Sequence, residues 1–354
     1  MSKFLDGSLK NLQPYVPGEQ PKDMQYIKLN TNESPFPPSQ KVIEVLNEEE
    51  SKKLRLYSDP ETSVLVNAIA EFYGVNANQI LTGNGSDEIL AFIFRAFCGE
   101  KGVACPDVSY GFYPVFCNLF NIKYIPVPLK ADFTVDVEDY KYIADNVIIA
   151  NPNAQTGIFL DLEQVEKLLK QNKDRVVVID EAYVDFGGVS AIPLIDKYDN
   201  LVVVQTMSKS RQLAGARIGF AISNRQLIDD LKTVKYSFNP YNVNRLSILA
   251  GAAAFGDESY FDACRKKIVS SRERLTKALQ EMGFVVLPSK ANFLLARHGK
   301  IGGRELYLKL KENGVLVRHL SDERISDFVR ITIGADDEID ILLNKIKVIL
   351  GEKK

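Results

Sequence analysis

Apolar residues along this chain fall in two rhythms. Unbroken runs rich in Val and Ile occur at Asn146–Ala150 (NVIIA), Arg175–Ile179 (RVVVI), Leu201–Val204 (LVVV) and Ile218–Ile222 (IGFAI). Such runs, with no polar alternation, predict strands buried on both faces of a parallel sheet. Val103-Ala104-Cys105 reads as a shorter strand of the same kind. The second rhythm spaces apolar residues by three and four. It is clearest at Leu162, Val165, Leu168 and Leu169, which predicts a helix over Leu162–Gln171. Further helices are expected over Ser39–Glu49, Glu61–Tyr73 with Gly74 as its stop, and Ile89–Cys98. Strands alternating with helices mark an α/β protein with a mostly parallel sheet.

The texture changes towards the C-terminus. Helices are expected at Ser259–Met282 and Gly303–Asn313, stopped by Gly283 and Gly314, and at Ala335–Leu350. Strands are expected at Phe284–Leu287, Asn292–Ala296, Val315–Val317 and Val329–Ile333. Helices on one face of a mostly antiparallel sheet make a small α+β domain. The chain therefore divides into an irregular N-terminal arm (1–36), a large α/β domain (37–239) and a small α+β domain (240–354), with the boundary near Asn239-Pro240.

Composition narrows the class of function. A chain of 354 residues exceeds the usual single core, which supports two domains. Charged residues make up 25% and the net charge is −2, so no basic field invites nucleic acid or an anionic membrane. The cysteines at 98, 105, 117 and 264 lack zinc spacing, and reduced thiols in a cytoplasmic protein account for them. No apolar run reaches membrane length, and the N-terminus has no apolar core of signal-peptide length.

Polar residues just past the buried strands carry the chemistry. The three runs at 146–150, 175–179 and 201–204 lead into Asn153, Asp180 and Lys209. Parallel winding brings such ends to one edge of the sheet, where open α/β sheets bind ligands. A lysine held against an apolar sheet loses hydration, so its amine becomes nucleophilic. Upstream, Gly83-Asn84-Gly85-Ser86-Asp87-Glu88 opens a helix. Glu88 stands where a dinucleotide fingerprint needs its third glycine, and no strand of a Rossmann opening unit is expected before it. Taken alone, the segment reads equally as an anion-binding helix terminus or as a helix capped by Ser86. An imine-forming amine, a carboxylate and an anion cradle together suit pyridoxal phosphate. Lys209 takes the aldehyde, Asp180 faces the pyridine nitrogen, Arg217 and a helix N-terminus hold the phosphate, and Tyr110 stacks on the ring.

The segment TMSKSRQLAGARIGF resembles the lysine signature of the fold-type-I, class II aminotransferases, and within them the branch that acts on histidinol phosphate. The resemblance runs along nearly the whole chain, through NLQPY, LNTNESP, LYSDP, GNGSDEIL, PDVSYGFY, NPNAQTG, VVVIDEAYVDF, ANFLLAR, VLVRHL and FVRITIG. It implies a homodimer that transfers an amino group between histidinol phosphate and 2-oxoglutarate, using pyridoxal phosphate. It also implies that Lys209 binds the cofactor and shuttles the proton, Asp180 pairs with the pyridinium, and Tyr183 donates to the phenolic oxygen. Gly85, Ser86, Asp87, Thr206, Ser208 and Arg217 would line the phosphate cup, with Tyr57 reaching the partner subunit's cup. Tyr15, Asn30, Arg318 and Arg330 would face the substrate.

Two departures stand out. The family's usual PNNPTG reads Pro152-Asn153-Ala154-Gln155-Thr156-Gly157, so the second asparagine is Ala154 and Asn153 is expected to take over its contact. Ser210-Arg211-Gln212 replaces the usual small and aromatic residues, with Arg211 either in solvent or at the pocket mouth. Alternatives on the same scaffold are an aromatic amino acid aminotransferase or a phospho-amino-acid decarboxylase. A cofactor-binding regulator without turnover is the alternative from another class.

Overall fold

The computed structural model describes residues 2–10 and 12–351, so Asn11 of the NLQPY segment lies outside the described residues. Seven strands form the large sheet: β2 (Ile80–Asn84), β3 (Val103–Pro106), β4 (Tyr124–Val127), β5 (Asn146–Ala150), β6 (Val177–Asp180), β7 (Leu201–Thr206) and β8 (Ile218–Ser223). Their order is β2-β8-β7-β6-β5-β3-β4, and β8 alone runs against the rest. Every residue of β5, β6, β7 and β8 is buried, as the unbroken apolar runs require. Register aligns Ala150 with Asp180 and Asp180 with Val204, which sets the three neighbouring carboxyl ends side by side.

Helices cover both faces of the sheet. One apolar cluster joins α3 (Ser63–Tyr73), α6 (Leu162–Gln171) and α8 (Arg245–Phe255) to the sheet. The opposite cluster joins α4 (Ser86–Phe97), α5 (Tyr113–Phe120), α7 (Arg225–Phe238) and α9 (Glu258–Glu281). The division expected near Asn239-Pro240 falls between α7 and α8, and α8 packs against α3 and α1 (Gln40–Val45).

The small domain carries an antiparallel sheet of β9 (Phe284–Val286), β10 (Phe293–His298), β12 (Arg318–His319) and β13 (Val329–Thr332) in the order β12-β13-β10-β9. Helices α9, α10 (Gly303–Glu312) and α11 (Asp336–Leu350) cover it. Two segments hold it to the large domain beside the site. Val108 and Leu129 pack with Leu295, Ile325 and Phe328 in a buried cluster. Above it, Arg324 pairs with Asp107 at 2.6 Å and donates to the carbonyls of Leu129 and Lys130.

Four sequence expectations are corrected. The helix foreseen over Ser39–Glu49 is two, α1 and α2 (Glu48–Lys52), because Asn47 turns out of the first to cap the second. A strand, β2, does precede the glycine turn, but it pairs antiparallel with β8 and so does not form a Rossmann opening unit. Ser86 is the first residue of α4 and not its cap, a place taken by Gly85 at φ +78°. Val315 and Leu316 do not join the antiparallel sheet. They form β11, which pairs in parallel with β1 (Ile27–Lys28) from the segment expected to be irregular.

Candidate active site

A cavity of about 360 Å³ opens at the carboxyl ends of β5, β6 and β7. Its wall carries Tyr15, Asn30, Ser86, Asp87, Tyr110, Asp180, Tyr183, Thr206, Ser208, Lys209, Arg217, Arg318 and Arg330. Gly85 adjoins it, whereas Asn153 and Tyr57 are not part of this wall.

Asp180 ends β6 and lies at the cavity floor. Burial pushes its carboxyl up to about 6, against the hydrogen bonds from the Tyr113 hydroxyl at 2.8 Å and the Ala182 N–H. A carboxylate that is costly to ionise alone gains most from a cation placed beside it. Lys209 comes after β7 half-buried on the cavity wall, and among the described residues its amine bonds only to the carbonyl of Thr31, at 3.2 Å. Burial, and after it the Arg330 guanidinium, bring its pKa down to about 8. An appreciable fraction of the amine is therefore neutral and nucleophilic near physiological pH.

The rim beside Lys209 is an anion cradle. Helix α4 points its first N–H groups into the cavity from Ser86 and Asp87. A Cβ on Gly85 would collide with the Arg217 guanidinium, so only glycine leaves that cation its place. The Asp87 carboxylate accepts from Arg217 at 3.0 Å and from the Tyr110 hydroxyl at 2.7 Å, and it thereby fixes both. Thr206 donates to Ser208 Oγ at 2.9 Å beneath them.

The opposite wall comes from the small domain and the N-terminal segment. Arg330 of β13 is half-buried, and it has no carboxylate partner among the described residues. It donates to Gln155 Oε1 at 2.9 Å and to the carbonyls of Ala154 and Asn30 at 3.3 and 3.4 Å, while its Nε has no partner among those residues. Arg318 donates to the carbonyls of Val16 and Pro17 and so ties down the arm that carries Tyr15. Asn30 donates to the Glu19 carbonyl and leaves its own Oδ1 buried, with no described partner.

Asn153 and Arg211 lie elsewhere than expected, and Tyr57 lies outside its own chain's cavity. Asn153 does not stand in for the amide missing at Ala154. Its side chain donates to the Val108 carbonyl and accepts from the N–H groups of Gln155 and Thr156, which commits it to the turn. Arg211 reaches neither solvent nor the cavity mouth. It is buried 3.8–4.5 Å from the rings of Phe72, Phe255 and Phe261 and donates to the Ala254 carbonyl. Tyr57 is 82% exposed and stacks on Tyr241 at 4.6 Å. Sequence reasoning assigned no role to Tyr113 or Asn32. Tyr113 stands in the PDVSYGFY segment, but nothing local marks its link to Asp180, 67 residues away. Asn32 donates to the Tyr183 hydroxyl across 151 residues.

Comparison with known proteins agrees with this geometry. The family described as aminotransferase class I and II matches residues 24–346. Histidinol-phosphate aminotransferase of Brachyspira hyodysenteriae is 52% identical over 353 residues, covering 99% of each chain. The enzyme of that name from Pseudomonas putida is 49% identical, covering 98% of this chain and all of the other. Among solved structures, histidinol-phosphate aminotransferase of Sinorhizobium meliloti in complex with pyridoxal-5'-phosphate superposes with a TM-score of 0.88 over 99% of each chain. At 24% identity, that likeness speaks for the fold.

Proposed function

The chain belongs to the class I and II aminotransferases, and we infer that it moves an amino group between histidinol phosphate and 2-oxoglutarate with pyridoxal phosphate as cofactor. The observation that carries this reading is a nearly unpartnered amine of lowered pKa, Lys209, sharing one cavity with a buried carboxylate and an anion cradle.

The residues present fit the cofactor. Arg217, the N–H groups of Ser86 and Asp87, and the hydroxyls of Thr206 and Ser208 would hold its phosphate. Asp180 would face its ring nitrogen, with Tyr110 over the ring and Tyr183 at its phenolic oxygen. When bound, pyridoxal phosphate supplies an aldehyde for amino groups and a ring that accepts electrons. Lys209, neutral above about pH 8, accepts a proton at Nζ and returns it. Asp180 meets the charge of a protonated ring nitrogen, with its carboxylate oriented by Tyr113. Arg330 presents a guanidinium fork to the anionic end of either substrate, phosphate or carboxylate. Arg318 and Tyr15 bound the same end of the cavity. A panel of amino donors assayed with 2-oxoglutarate tests the reading, with histidinol phosphate expected to give the highest kcat/KM. Aromatic amino acids ranking first, or carbon dioxide released from a phosphorylated amino acid, would overturn it.

The same reading makes the protein a homodimer whose sites are shared. Tyr57 lies outside its own chain's cavity and is exposed together with Leu54, Leu56 and Phe238, an apolar surface that suits burial against a second copy. Sedimentation is expected to show a dimer that persists on dilution, and a fully active monomer would contradict it. The four cysteines are unpaired and buried, which suits a reducing compartment such as the cytoplasm.

A further inference from the structure

Behind Tyr183 lies a chain of buried hydrogen bonds whose direction can be read bond by bond. Asn32 is buried in a turn at φ +55°, just after the stretch that pairs with the small domain. Its backbone N–H donates to the Thr332 hydroxyl oxygen at 3.0 Å. That leaves the Thr332 proton free, and it goes to Asn32 Oδ1 at 3.1 Å. With its oxygen end committed, the Asn32 side chain turns its NH2 towards the Tyr183 hydroxyl, 3.0 Å away. An amide nitrogen only donates, so the phenol oxygen must accept. The Asn32 carbonyl is held in turn by the side chain of Asn292 at 2.9 Å. Tyr183 stands on the cavity wall with Lys209 Nζ 6.0 Å from its ring centroid, and no other described group receives its proton.

We propose that Asn32 is a positioning residue. Its amide, set by Thr332, fixes Tyr183 as a donor into the cavity. The inference rests on the proposed cofactor, whose phenolic oxygen is the acceptor such a donor suits. Without the strut, a phenol can rotate or accept, and its proton has no fixed direction. With it, the direction is decided before any ligand arrives, which removes a reorganisation step from binding. The charged and titratable groups acting on Tyr183 are Lys209, Arg330, Asp180 and Tyr15, and none of them contributes to the strut.

The test is a pH titration of the visible band of the purified holoenzyme, which reads the phenolic oxygen's environment without turnover. Asn32→Asp keeps the shape but offers an acceptor to both Thr332 and Tyr183, so the Tyr183 proton turns away from the cavity. Its titration midpoint is expected to rise by roughly 1–2 pH units, the scale of one hydrogen bond to a charged group. Tyr183→Phe should shift it at least as far, and Asn32→Ala less than Asn32→Asp. Thr332→Val, which frees the amide to flip, should shift it in the same direction by a smaller amount. A merely structural role predicts the reverse order, with Asn32→Ala the more damaging, and that order would overturn the inference. A wild-type midpoint in Asn32→Asp beside a shifted Tyr183→Phe would also overturn it while leaving the proposed cofactor intact. Protein that develops no visible band with pyridoxal phosphate would remove the proposed function itself.

Discussion

The two walls of the cavity are built on opposite principles. On the large-domain wall, the carboxylates and hydroxyls have partners within the protein. Asp180 has Tyr113, Asp87 has Arg217 and Tyr110, and Thr206 has Ser208, all at or beside the ends of a buried sheet. On the small-domain wall, Arg330 meets neutral oxygens only, one of its nitrogens without a described partner, and Asn30 Oδ1 is in the same position. The first wall's carboxylates and hydroxyls are already held in place, and the Lys209 amine is left nearly free among them. The second leaves the half-buried Arg330 guanidinium without a counter-charge, the place an anionic substrate would take. One wall therefore suits a resident group and the other a visitor that must leave again.

Removing Lys209 should have the largest effect and breaks the first wall at its reactive point. Lys209→Ala is expected to lose turnover by at least roughly 10²–10⁴-fold, since proton transfer at Nζ disappears, while the cradle still retains some cofactor. Single-turnover kinetics would measure it, and ordinary turnover in this variant would end the comparison. Arg330→Ala strips the second wall. It should cost about 2–5 kcal/mol of substrate binding, raising KM for 2-oxoglutarate and histidinol phosphate together with the visible spectrum unchanged. Damage confined to the donor half-reaction would mean that the two substrates use separate anion sites.

Proton linkage supplies a subtler check. The Lys209 amine titrates near 8 in the fold and near its ordinary 10.5 once unfolded. Between those values the unfolded chain binds more protons, so the cofactor-free protein should gain stability as pH rises from about 8 to about 10.5. Denaturation midpoints measured across that window should show the slope in the wild type, and Lys209→Ala should lack it. The smallest effect is expected at the joint between the walls. Arg324→Ala removes a partly exposed pair with Asp107, worth about 1 kcal/mol. Hydrogen exchange should then quicken around 320–328 while the large sheet keeps its protection.

The large-domain wall was the more legible of the two. Continuous apolar runs announce β5, β6 and β7, and the polar residues after them place Asp180 and Lys209 at one edge through topology alone. Individual side-chain directions were not legible. Asn153 and Lys209 each come after a buried strand, yet a tight turn consumes the amide of Asn153 while Lys209 stays nearly free of partners. Arg211, two residues beyond Lys209, disappears into an aromatic cage built from α3, α8 and α9, which no local pattern foretells. The Asn32–Tyr183 bond spans 151 residues and the β1–β11 ladder nearly twice as many, and a single sequence carries no periodicity for such pairings.

That ladder has a consequence for how the molecule comes into being. Residues 27–32 enter the site from the chain's beginning, but they are held by Leu316 and Thr332 near its end. During synthesis the large sheet can close as soon as Ser223 has emerged, while the early segment waits for partners about 290 residues downstream that do not yet exist. A chain stalled before residue 315 would therefore lack the partners that hold residues 27–32 in the cavity wall. The wall built from the two ends of the sequence can form only after both have been made, whatever the state of the large sheet.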